Sequence, residues 1–186
     1  MWQAGYPEVM AAVLVPATVY AGWNDYRFHR VPNWLSVLVA GAGLGVQATW
    51  NGRSGAIEGL EGMLVGFGVL IGLWLIRGMG AGDVKLMAAL GAWLGPQLTL
   101  AAIVVGGLLG GVLALALVAR QRAWNQMSAN VGVLMLKMRT WKTALGEFGS
   151  AQSLGRSTGM IPYAIPLCLG TWFVAANRYF GWWEIL

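Results

Sequence analysis

The chain of 186 residues is 58% hydrophobic and only 10% charged, with a formal net charge of +5 and a mean hydropathy of +0.62. Soluble domains carry about 25% charged residues, and an aqueous fold cannot hide this much apolar surface, so a soluble enzyme is excluded and lipid is the expected solvent. The basic balance does not point to nucleic acid, because the sequence has no long basic run and no nucleic-acid-binding motif.

Residues 1–8 lack the basic stretch and small-residue cleavage site of a removed signal peptide, so the first apolar segment is expected to remain as a signal anchor. A membrane-crossing helix needs about 17–25 residues. Six apolar segments are candidates: about Val9 to Trp23, Trp34–Trp50, Ile57–Ile76, Val84–Leu94, Gln97–Ala119 and Met160 to about Ala176. The fourth is short, rising only about 16 Å, and reads either as a crossing in a thinned bilayer or as a re-entrant helix. Gly95-Pro96 ends it, and Pro96 suits the first turn of the next helix.

Charge placement favours a full crossing and six helices with the N-terminus outside. With that count Arg27, Arg30, Arg77, Lys85, Arg120, Arg122, Lys137, Arg139, Lys142 and Arg156 share one side, while only Arg53 and Arg178 fall on the other. Basic residues mark the cytoplasmic side. Glu8, Glu58, Glu61 and Glu184 then lie outside, and Asp25, Asp83 and Glu147 inside. Trp23, Trp34, Trp50, Trp74, Trp93, Trp182 and Trp183 lie near helix ends, as interfacial tryptophans do.

The expected organisation is a single all-α membrane domain over residues 1–186. Residues 120–159 form a cytoplasmic loop in which Val131, Leu134, Met138, Trp141, Leu145 and Phe148 recur at helical spacing. That pattern fits an amphipathic helix on the inner membrane surface or one packed on the bundle. The glycines of Gly62-x-x-x-Gly66 and Gly106-x-x-x-Gly110 read as close helix contacts.

The sequence contains two aspartates. Asp25 closes the first predicted helix and Asp83 opens the fourth, both at the cytoplasmic edge. Ionisable groups at such depth mark functional sites by default, although Asp83 also suits a helix N-terminus on dipole grounds alone. Gly80-Ala81-Gly82-Asp83 places two glycines where a tight turn or close backbone approach is needed. After Asp25, Pro32 keeps Val31 out of helical geometry and Asn33 is expected to N-cap the second helix. Lys85 reads first as an interfacial lysine and second as a group tuning the aspartates. His29, the only histidine, reads as a surface residue, and Cys168 as a small buried apolar one.

Three elements together resemble the type IV prepilin peptidases and the related archaeal preflagellin peptidases. They are Asp25 with its basic loop ending Val31-Pro32-Asn33, Gly80-Ala81-Gly82-Asp83 leading into Val84-Lys85-Leu86-Met87, and Ile161-Pro162-Tyr163-Ala164. The resemblance implies an intramembrane aspartic endopeptidase with Asp25 and Asp83 as catalytic pair and Gly80, Gly82, Lys85, Pro32 and Asn33 supporting the site. Two adjacent carboxylates share one proton, so one activates water while the other donates to the scissile carbonyl.

The resemblance also implies a prepilin or pseudopilin precursor as substrate, cut at the cytoplasmic face of the bacterial inner membrane after a basic leader. Large family members carry paired Cys-x-x-Cys motifs and N-methylate the new terminus. One cysteine makes this chain look like the short peptidase-only form of tight-adherence (Flp-type) pili. No metal or cofactor is expected: a lone histidine and no His-Glu-x-x-His leave no metalloenzyme pattern. The competing readings are a proton- or cation-coupled transporter, which predicts acids near mid-bilayer, and a non-catalytic pilus assembly subunit, which predicts that both aspartates tolerate replacement.

Overall fold

The computed structural model describes residues 5–28, 30–75, 79–121 and 163–181, and all secondary structure among them is helical. Four helical runs follow in order: α1 Tyr6–Phe28, α2 Asn33–Leu75, α3 Ala81–Gln121 and α4 Ala164–Phe180. The amphipathic segment expected within 120–159 lies almost wholly outside the described residues, as do His29, Trp182 and Trp183.

The second and third predicted segments are joined in α2, and the fourth and fifth in α3. Each run breaks at one glycine. Gly52 takes φ 60° and ψ −143°, and Gly95 takes φ 75° and ψ 175°; both lie in backbone regions that side-chain-bearing residues avoid. At Gly52 the chain doubles back, since a Cβ on Gly59 would sit 3.0 Å from Leu44 Cδ2. A straight helix would hold residues 44 and 59 about 22 Å apart.

The break at Gly95 also reverses direction. Its second arm brings Gly110 against Pro166 and Tyr163, next to Ala164, whose amide bonds Asp25. Asp25 in turn acts on Asp83 at the start of the first arm. Pro96 follows the break, where its missing N–H removes no helical bond.

The short fourth segment is the centre of the bundle. Leu86, Met87, Ala89, Leu90, Ala92 and Trp93 are at most 1% exposed. From Leu86 to Leu94 this arm is buried and surrounded by protein. Its neighbours approach through glycine: a Cβ on Gly62 would sit 2.9 Å from Gly95 Cα, and one on Gly66 2.6 Å from Met87 O. Gly170 of α4 meets Ala102 O and Gly106 N in the same way, with both distances at 2.6 Å.

Trp93 is a correction to the interfacial set. It is fully buried, and its Nε1 donates to Val39 O at 2.9 Å. Its own carbonyl, freed by the break at Gly95-Pro96, accepts from Tyr6 Oη at 2.5 Å and Gln47 Nε2 at 3.3 Å. With the indole N–H bonded to the α2 backbone and the carbonyl satisfied by two side chains, the residue is held inside. Trp23 and Trp34, at 63% and 55% exposed, do face outward.

The outer surface is apolar. Val37, Leu64, Leu108 and Val112 are each at least 66% exposed, while Asp25, Gln47, Asp83, Thr99 and Asn177 are buried. An exterior this rich in large apolar side chains fits a lipid surround. Asn33–Leu75 and Ala81–Arg120 are long and apolar enough to cross a membrane.

Candidate active site

Asp25 lies in the last turn of α1, and Asp83 in the first turn of α3. Fifty-eight residues separate them in sequence, yet the bundle brings both to one end. Both side chains are buried, at 6% and 7% exposure, and Asp83 lies within electrostatic reach of Asp25. The Cys168 thiol, one turn into α4, lies within electrostatic reach of both and contacts Thr18 O at 3.9 Å.

The loops carrying the two aspartates are fitted together. After α1, the Asn24 side chain donates to Arg30 O and closes the turn. Pro32 O then accepts the Ser36 N–H at 3.5 Å, starting α2. Asn33 is therefore the first helical residue and not the N-cap, which corrects the expectation. Its Oδ1 instead accepts from Lys85 Nζ at 3.0 Å. Lys85 is thus a bridge between the two loops, a role that the interfacial and tuning readings both missed.

Each glycine of the Gly80-Ala81-Gly82-Asp83 turn has a concrete constraint. Gly80 O accepts the Asp83 N–H at 3.2 Å, and a Cβ on Gly80 would sit 3.2 Å from Asp83 Oδ2. A Cβ on Gly82 would sit 3.2 Å from Val31 N and Val31 Cβ. The second loop therefore lies directly on the backbone of the first. All seven residues singled out from sequence, namely Asp25, Pro32, Asn33, Gly80, Gly82, Asp83 and Lys85, fall in this one region.

Two further participants were not foreseen. Asn24 is the clasp of the first turn, and its position two residues before a basic loop is ordinary for a turn-forming amide. The other is a backbone group: Ala164 N donates to Asp25 Oδ2 at 3.2 Å. A main-chain donor leaves no residue-type signal, although the Pro162-Tyr163-Ala164 element marked its place. No group of three or more His, Cys, Asp or Glu side chains among the described residues is arranged to hold a metal ion. A pair of buried carboxylates with fixed backbone donors is suited to moving protons and activating water.

Comparison with known proteins identifies the family. The family model described as type IV leader peptidase family matches residues 12–115, a stretch containing both aspartates. The chain is 37% identical over 98 residues to a prepilin leader peptidase/N-methyltransferase of Escherichia coli (strain K12), an alignment covering 47% of this chain and 41% of that protein. It is 36% identical over 116 residues to a protein of the same name from Xanthomonas campestris pv. campestris, covering 59% of this chain and 40% of the relative. The chain thus aligns with about two fifths of the length of these relatives. No solved structure matches it.

Proposed function

Because the chain belongs to the type IV leader peptidase family, we propose that it is an intramembrane aspartic endopeptidase that removes the basic leader of prepilin-like precursors. The observation that supports this reading is that Asp25 and Asp83, the only aspartates of the chain, are both buried at one end of the bundle, within electrostatic reach of each other. In this proposal the pair holds one proton. The ionised aspartate takes a proton from water, and the water oxygen bonds to the scissile carbonyl carbon. The protonated partner donates to the carbonyl oxygen. The tetrahedral diol then collapses: one diol hydroxyl gives its proton to the now ionised aspartate as C=O re-forms, and the C–N bond breaks. The other aspartate gives its proton to the departing amine, so the pair again holds one.

The end of the bundle that carries the pair also carries Arg27, Arg30 and Lys85, whereas Glu8, Arg53 and Glu58 fall toward the opposite end. The proposed orientation therefore has six crossings, the N-terminus outside, and the aspartates at the cytoplasmic face of a bacterial inner membrane. The proposed substrate has a short basic leader followed by an apolar helix. The name of the relatives includes methyl transfer; the proposal for this chain concerns the peptidase step.

Reconstituted protein incubated with such a precursor in H2(18)O tests the reading. We expect the precursor to be split into two fragments, with one 18O in the new leader carboxylate and a free amine on the mature chain. An intact precursor would instead favour a transport or assembly role.

A further inference from the structure

The start of α4 has an unusual cap. Its N-cap residue, Tyr163, makes no side-chain capping bond, and the first turn holds no acidic residue. The negative group that a helix N-terminus favours comes instead from another helix, 139 residues earlier: Asp25 Oδ2 accepts the Ala164 N–H at 3.2 Å. Ala164 is fully buried, and α4 is fixed on both sides. Trp172 Nε1 donates to Thr18 Oγ of α1 at 3.0 Å, while Gly106 of α3 packs on Leu167 Cα, where a Cβ would sit at 3.1 Å. The donor therefore cannot follow Asp25 if the carboxylate turns.

We propose that the Ala164 N–H is a positioning group for the peptidase reaction: it holds the Asp25 carboxylate in register with Asp83. This rests on the catalytic reading of the two aspartates and adds that seating of α4 completes their alignment. The role belongs to the main chain, so an amide-to-ester exchange at residue 164, made with lactic acid in the full chain, isolates it. In nanodiscs with a precursor peptide, kcat is expected to fall about 10- to 100-fold, the value of a hydrogen bond to a charged group, with KM within about twofold. Ala164→Gly keeps the N–H while removing the buried methyl, and is expected to lose clearly less kcat than the ester.

An ester chain with parental kcat overturns the proposal, as does an Ala164→Gly loss equal to that of the ester, which would make the role one of packing. Asp25→Asn is assayed alongside. If it cleaves normally, the catalytic reading itself falls; if it is dead while the ester is fully active, only the positioning role falls. Should the ester chain not insert, amide exchange at Ala164 decides. Asp25→Ala should speed it about tenfold or more with the Leu167 amide unchanged, and an unchanged rate at Ala164 overturns the proposal.

Discussion

Lys85 and Asn33 form the visible link between the two aspartate loops, at 3.0 Å and in an exposed position. An exposed bond of this kind contributes only about 0.5–1.5 kcal/mol to stability, so its use lies in register. Lys85→Met and Asn33→Ala should each lower the melting temperature little but reduce cleavage, and the double variant should cost no more than the worse single. Additive losses in a double-mutant cycle would show that the two residues act separately. At the same scale, Gly82→Ala sets a methyl against Val31 N at 3.2 Å, and a loss of roughly 1–3 kcal/mol in thermal stability is expected. Much of this was legible, because two aspartates stand out by residue type in so apolar a chain, and the glycines of Gly80-Ala81-Gly82-Asp83 are marked by their place beside one of them. The Ala164 amide was not, since a backbone donor is the same in every residue, and Asn33 was misread because an Asn beside a helix start looks like a cap whatever its real partner.

Helix packing divides the glycines into two sets that a sequence motif does not separate. Gly62 and Gly66 face the backbone of the central arm, whereas a methyl added at Gly68 or Gly72 would meet nothing within 4 Å. Gly62→Ala is therefore expected to destabilise by about 1–3 kcal/mol through overpacking. Gly68→Ala should be neutral or stabilising by up to about 1 kcal/mol. Melting of the purified variants in one detergent checks the contrast, and equal shifts for the two would contradict the packing described. The breaks at Gly52 and Gly95 coincide with predicted segment ends, so the helical arms were readable from apolar runs and Gly/Pro punctuation. Which arm sits in the middle was not. Hydropathy scores Val84–Leu94 by composition and length, and a short apolar run reads the same whether lipid or protein surrounds it. Trp93 was misplaced for the same reason. Tyr6→Phe, which removes one donor from its carbonyl, should cost about 1–3 kcal/mol.

On the scale of the whole molecule, an apolar exterior encloses a mostly apolar interior in which a few polar side chains are buried, and both aspartates are buried at one end of it. The proposed orientation makes that end cytoplasmic. In a Cys168→Ala background, a cysteine at Arg30 should react with an impermeant maleimide only from the cytoplasmic side, and one at Arg53 only from outside; the reverse pattern would contradict the orientation. Charge bias along the sequence supplied this expectation, but only the fold could join residues 25 and 83, because no spacing rule connects separate helices across 58 positions. The central claim is that these two carboxylates perform one hydrolysis. The most direct measurement is leader removal, read by mass, from a prepilin-type precursor co-expressed with the parent chain, Asp25→Asn or Asp83→Asn at matched membrane levels. The account predicts cleavage by the parent and a loss of at least about 10²–10⁴-fold in each variant; near-parental cleavage by either variant would contradict it.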